Sequence, residues 1–310
     1  KLMTPENPFG IDPKDPNGQD DVLVQSQDLH LPIGKPVKIL LRSRDVTHQY
    51  AVPQFRVKMD MVPGMVTYFW FTPTKTGTYN VLCEQLCGIA HFAMRGRVVV
   101  EEQAAYDAWL AAQPTFGATM AQAAGSATAG AASYAVCTAC HGPDGQGNPT
   151  LNAPKLAGQA GWYLTRQLNG FKHGVRGGDP RDTFALQMAP MAATLTDDAA
   201  VRNVVAYIES LPAGERAPQT LAGEVARGKS IYATTCSACH GAKGEGVWAT
   251  NAPKLAGMSD WYMLRQLKNF KDGIRGKHPQ DFPGAQMALM AETLNDDKAI
   301  GDVLAYLDTL

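Results

Sequence analysis

The hexad CTACHG at 137–142 returns as CSACHG at 236–241, and this repeat decides the fold of most of the chain. Sliding 137–198 against 236–297 at a constant offset of 99, without gaps, gives 35 identities in 62 positions, including NAPKLAG twice and WYLTRQL against WYMLRQL. Two copies of that length are a duplicated domain, not a solenoid array. Each copy holds C-x-x-C-H, the c-type haem attachment signal, in which two thiols bond the vinyl groups and the following His takes an axial site on iron. One copy alone competes with a zinc half-site or a redox dithiol; two copies in the same context favour haem. A six-coordinate electron-transfer haem also wants a soft second ligand, and each copy offers a choice, Met188 or Met191 and Met287 or Met290.

Around these hexads the copies read as helical. The segment 162–172 is a helix candidate, and so is 197–211, where Val201, Val204, Val205, Ile208 and Leu211 share one face and Thr196 is the expected cap. The second copy repeats the pattern with Ile300, Val303, Leu304 and Leu307. Upstream, 37–42, 67–71, 77–83 and 97–101 are short β-branched or aromatic runs broken by Pro and Gly turns, which predicts a small β-sandwich or barrel. The Ala/Gly/Ser-rich, uncharged stretch 117–132 reads as a flexible linker, and 211–223 as the connection between the copies. The expected domains are therefore 1–113, 133–212 and 213–310, with 114–132 as linker.

Composition agrees with this division. The 310 residues suit three domains of roughly 100 each. With 28 Lys+Arg against 29 Asp+Glu, no segment has the basic excess of a nucleic-acid binder. No run approaches the ~18 apolar residues of a membrane span. The six cysteines fall in close pairs, each followed by a His, which leaves none for a structural disulfide.

The third pair lies in the β segment. Cys83, Cys87, His91 and Met94 place two thiols, an imidazole and a thioether within twelve residues between two predicted strands. Soft sulfur with imidazole is a copper donor set; zinc is its rival but gives Met94 no role. A second His should come from another loop of the same domain, and His48 in DVTHQYAVP is placed to do so.

Two resemblances sharpen these readings. The last 180 or so residues resemble the bacterial two-domain dihaem cytochromes c, through CxxCHG…PKLAGQ…Y…QL…M…L…D. In that family the iron-binding Met lies seven residues before the Leu that opens the last helix. This implies Met188 (before Leu195) with Cys137, Cys140 and His141 for haem 1, and Met287 (before Leu294) with Cys236, Cys239 and His240 for haem 2. Met191 and Met290 are then packing residues. The β segment, through DVTHQYAVP, KMDMVPGM and FTPTKTGTYNVLCEQLCGIAH, resembles the CuA domain of haem–copper oxidase subunit II, a cupredoxin sandwich. That resemblance implies Cys83 and Cys87 as thiolates bridging two coppers, with His48 and His91 binding one each. Met94 would be a weak ligand to one copper and the Gln85 carbonyl a ligand to the other; Glu is commoner there.

The expectation is a cupredoxin-like all-β domain followed by two all-α cytochrome c domains, carrying binuclear copper and two covalent c haems and no catalytic residues of its own. As oxidase subunit II it would sit at the periplasmic face of a bacterial inner membrane. It would pass electrons from a respiratory donor, such as a cytochrome c or an upstream complex, to subunit I, where dioxygen is reduced, with other oxidase subunits alongside. The family's transmembrane helices and Trp-rich strand are missing, so the chain is expected to be a soluble fragment or processed form. A CuA-type nitric oxide reductase or a stand-alone periplasmic carrier are the alternatives; a quinol oxidase is disfavoured because the copper ligands are retained. His30, His173 and His278 read as surface. Trp162 and Trp261 read as core, and Lys254, Arg265, Lys268, Lys271, Arg275 and Lys277 as a solvated basic face.

Overall fold

The computed structural model describes residues 3–24, 27–122, 124–215 and 218–310 and divides the chain into two units, 1–122 and 123–310. The first unit is a β-sandwich. Its strands are β1 (Asp28–Pro32), β2 (Val37–Leu41), β3 (His48–Val52), β4 (Val57–Met61), β5 (Thr67–Phe71), β6 (Gly77–Leu82) and β7 (Arg95–Glu101). One sheet runs β1-β7-β6-β3-β4, with only β1 and β7 parallel; β2 and β5 form a second, antiparallel sheet. Period-two alternation builds the core. On β7, Val98 and Val100 turn inward onto Leu31 and Val52, while on β5 Phe69 and Phe71 lean in and Tyr68 and Trp70 face out.

Strand register places the ligand loop. β6 and β7 are antiparallel partners, with Leu82 opposite Arg95, so 83–94 starts and ends at one point on the sheet. β3 meets β6 through Ala51 and Leu82. Because that pairing is antiparallel, His48 lies beyond the end of β6, level with the loop.

The expected flexible linker is instead helical over most of its length. After α1 (Gln103–Ala111), α2 (Phe116–Met120) begins with Thr115 Oγ1 accepting from Ala118 N at 3.1 Å, and Phe116 is fully buried. α3 (Ala127–His141) then starts at Ser126, whose Oγ accepts from Ala129 N at 3.2 Å. Composition suggested a solvated coil because Ala and Gly carry little side chain. The same smallness permits a tight helix crossing, which is how the stretch is used. The 211–223 connection is also strapped down: Lys155 Nζ donates to Glu215 O at 2.6 Å, and the Thr220 and Leu221 amides donate to Asp260 Oδ2 at 2.6 and 2.8 Å.

The second unit contains the duplicated helical pattern. α3 is followed by α4 (Gly161–Lys172), α5 (Thr183–Ala193) and α6 (Asp198–Ser210). The second copy has α7 (Val225–Ile231), a π-helical turn Tyr232–Cys236, α8 (Ser237–His240), α9 (Asp260–Lys271), α10 (Phe282–Glu292) and α11 (Asp297–Leu307). The cap of α6 is Asp197, not Thr196: its carboxylate accepts from Ala200 N at 2.7 Å and places an anion at the positive helix end. The predicted apolar faces form the cores, Tyr134 with Val201, Val204, Val205 and Ile208, and Tyr232 with Ile300, Val303, Leu304 and Leu307.

In each copy the first and last helices cross at a glycine. A Cβ on Gly130 would stand 1.9 Å from Asn203 O, and one on Gly228 1.8 Å from Asp302 O. Neither backbone oxygen can yield without moving its helix. Gly130→Ala and Gly228→Ala should each destabilise the second unit by about 1–3 kcal/mol, as overpacked cores do. Gly170→Ala, in α4 with Arg176 Cβ at 3.6 Å as its nearest neighbour, should be neutral or stabilising through helix propensity. Thermal or denaturant unfolding of the three variants checks the contrast.

Candidate metal centres

The loop closing β6 and β7 brings the expected copper donors together. Cys83 N donates to Met94 O at 3.2 Å, shutting the base of the loop, and Gly88 at φ 131° reverses the chain between Cys87 and His91. The two thiols lie 3.7 Å apart, Cys83 Sγ is 3.3 Å from Gln85 O, and Cys87 Sγ is 3.5 Å from His91 Nδ1 and 3.3 Å from Met94 Sδ. From β3, His48 joins Cys83 and Cys87 with ligand atoms all within 4.8 Å of one another, the one such group of three among the described residues. All six expected donors thus converge. Two thiols, two imidazoles, a thioether and a carbonyl fit copper; with zinc the thioether would be idle.

Electrostatics prepares the thiols unequally. Burial opposes ionisation of Cys83, but backbone hydrogen bonds at Gln49 and Gln85, with Cys87 and His48, outweigh it and bring the pKa down to about 7. Burial and the neighbouring Cys83 push Cys87 up to about 11. Burial works to lower His48, yet hydrogen bonds to Asp45 and Cys83 leave it raised. Asp45 Oδ1 lies 2.8 Å from His48 Nε2 and so orients the ring. The sequence reading passed over Asp45, although an acid three residues before a ligand His was a visible signal.

The haem attachment residues lie at helix ends. Cys137, Cys140 and His141 close α3, and Cys239 and His240 close α8, with Cys236 at its cap. His141 is 6 % exposed and His240 8 %. Each Nδ1 lies 2.8 Å from a backbone carbonyl, of Pro154 and Pro253 respectively. That bond holds the ring and leaves Nε2 available to iron; burial lowers both pKa values and keeps the rings neutral. Tyr134 and Tyr232 donate to Gly142 O and Gly241 O at 2.9 and 2.7 Å, pinning the turn after each His. These prolines and tyrosines were also overlooked, though the prolines recur at the offset of 99 and the tyrosines at 98. The donors and the free second nitrogen fit c haem. Met188 packs beside Phe171, and Met287 beside Phe270, whereas Met191 is 36 % exposed.

Other expectations need correction. His30 is not a free surface residue: its Nδ1 is 2.8 Å from Glu101 Oε1, and its ring stacks on Trp109 at 4.3 Å. His278 is half-buried; His173 is exposed. Trp162 and Trp261 are half-buried and lie beside Arg166 and Arg265 rather than in a core. Nor are the basic residues one solvated face. Lys254, Arg265 and Arg275 bond across to the first copy, at Gly158, Asn152 and Gln167, because the duplicated domains pack together there.

Two outcomes follow from the copper loop. Asp45→Asn should weaken copper binding about ten- to a hundredfold, as loss of a ligand-orienting partner does, in a competition titration with a chelator. In copper-free protein, iodoacetamide should capture Cys83 ahead of Cys87 from about pH 7 upward, because only the thiolate reacts. Peptide mapping by mass reads the order, and equal rates would contradict it.

Comparison with known proteins finds family matches for both halves of the chain. Residues 11–102 match the family described as cytochrome C oxidase subunit II, periplasmic domain, and 127–212 and 225–310 each match cytochrome c. The chain is 62% identical over 114 residues to the alternative cytochrome c oxidase subunit 2 of Bradyrhizobium diazoefficiens, covering 37% of this chain and 41% of that relative. It thus spans about two fifths of that protein's length. It is 38% identical over 205 residues to cytochrome c4 of Azotobacter vinelandii, covering 63% of this chain and 95% of the relative. The crystal structure of reduced recombinant cytochrome c4 from Pseudomonas stutzeri is 29% identical, with a TM-score of 0.48 over 60% of this chain and all of that one. Those families carry copper and haem c. The chain belongs to the cytochrome c family through its two C-terminal domains, and joins to them a periplasmic domain of cytochrome c oxidase subunit II.

Proposed function

We propose that this chain is the electron-entry subunit of a bacterial cytochrome c oxidase, holding a binuclear CuA centre and two c haems at the periplasmic face of the inner membrane. The observation that carries this reading is the convergence of Cys83, Cys87, His48, His91 and Met94 on a chain that also closes two helices with C-x-x-C-H. When bound, the copper pair and the haems supply one-electron chemistry between a respiratory donor and subunit I. The protein's own work is to hold ligands. Cys83, Cys87, His48, His91, Met94 and the Gln85 carbonyl would hold the copper pair. Cys137, Cys140, His141 and Met188 would hold haem 1, and Cys236, Cys239, His240 and Met287 would hold haem 2. Asp45, Pro154 and Pro253 hold the rings so that little rearrangement accompanies a change of charge. The likeness to oxidase subunit 2 and to cytochrome c4 supports the two halves of this reading.

Two experiments test it. Met188→Ala and Met287→Ala should each remove one sulfur–iron absorption band and lower that haem's potential, with Met191→Ala and Met290→Ala altering packing alone; the reverse pattern would reassign the ligands. Covalent linkage should make transfer to copper intramolecular. In stopped-flow mixing with a donor, copper reduction should follow haem reduction at a rate independent of protein concentration. A rate proportional to concentration would mean that the haem domains serve another acceptor.

A further inference from the structure

The two NAPKLAG segments meet at a cleft of about 240 Å³ between the cytochrome domains. Lys155 and Ala157 line it from the first copy, and their counterparts at the offset of 99, Lys254 and Ala256, line it from the second. The remaining lining residues are glycine or apolar, and no Asp or Glu is among them. Two lysines are therefore the polar content of the cleft.

The backbone holds these lysines where they are. Gln159 donates through Nε2 to Lys254 O at 3.0 Å and accepts at Oε1 from Lys254 N at 3.3 Å, so one side chain of the first copy clamps the segment of the second. Lys155 Nζ donates to Glu215 O at 2.6 Å, and Lys254 Nζ to Gly158 O at 3.2 Å. Both acceptors are neutral carbonyls. Among the described residues neither lysine forms an ion pair, and an ammonium has three N–H donors, so each keeps two to offer.

Such a pair is costly as it stands. Lys155 is 7 % exposed and Lys254 half-buried, and like charges brought together out of water repel each other while losing their hydration. Burial and the neighbouring Lys254 push the Lys155 ammonium below its usual range, and the attraction of Asp144 does not offset them. An anion between the two would supply the missing counter-charge. The cleft has room for one, since a water takes only about 30 Å³.

We propose that this cleft is a binding site for a small divalent oxyanion of the phosphate or sulfate kind, held between Lys155 and Lys254. Two positive charges match a dianion, and charge-assisted bonds to its oxygens use the spare N–H groups. The seated anion joins the two copies through the segments whose Pro154 and Pro253 carbonyls hold His141 and His240. The site is made by protein atoms alone and does not depend on the haem reading above.

The test uses full-length holoprotein and inorganic phosphate, titrated against chloride at constant ionic strength. Calorimetry should show saturable binding of one phosphate per chain. Phosphate should also raise the unfolding temperature with the same dissociation constant, because a ligand of the folded state stabilises it by mass action. Lys155→Met and Lys254→Met should each weaken binding about ten- to a hundredfold, as loss of a charge-assisted contact does. Lys254→Arg, which keeps the charge, should retain binding, and Lys277→Gln, at an exposed lysine of the same unit, should bind as the parent does. If Lys155→Met fails to fold, the half-buried Lys254 carries the comparison. Stabilisation that never saturates, as excluded salts produce, or an affinity left unchanged by Lys254→Met, would overturn the inference.

Discussion

A histidine that is to bind a metal must present one ring nitrogen and have the other held, and three hydrogen bonds of 2.8 Å do this here. Asp45 holds Nε2 of His48, the Pro154 carbonyl holds Nδ1 of His141, and the Pro253 carbonyl holds Nδ1 of His240. Each bond fixes a ring and selects its free nitrogen before any metal arrives. Much of the fold exists to supply these partners. The NAPKLAG segments return to the helix that carries C-x-x-C-H, and the β3 register sets Asp45 and His48 beside the 83–94 loop. For a centre that changes only its charge, rigid ligands are the main contribution a protein can make.

The duplicated half solves a packing problem twice with the same parts. Its terminal helices approach closely only because Gly130 and Gly228 lack side chains. A half-buried amide or a buried acid on the last helix then ties down the cap of the first: Asn203 Oδ1 accepts from Ser126 N at 2.8 Å, and Asp302 Oδ1 from Glu224 N at 2.7 Å. Asp302 also gathers Arg227 at 2.9 Å and Lys298 at 2.9 Å, charged partners that the neutral Asn203 does not require. The copies have therefore diverged in charge at a site where geometry is unchanged.

Residues with strong periodicity or rigid spacing were legible from sequence. The 162–172 and 197–211 helices, the 67–71 strand and the convergence of Cys83, Cys87, His91 and Met94 needed only spacing; His48 needed the inference that a second imidazole must come from another loop. What remained hidden depended on three-dimensional neighbours. The expected linker 114–132 has a linker's composition, and only its burial of Phe116 and its crossing at Gly130 reveal helices. Arg265 and Arg275 look like solvated charge until the second copy of the domain is placed against the first. Pro154 and Pro253 act through backbone carbonyls, which side-chain chemistry cannot announce.

The central claim is that all six cysteines are committed to metal or haem, two to a copper pair and four to two haems. Elemental analysis of the purified holoprotein, read with a thiol titration under denaturing conditions after copper removal, addresses it most directly. The account expects two coppers and two irons per chain, and two titratable thiols once copper is gone. One copper, stoichiometric zinc or more than two thiols would contradict it.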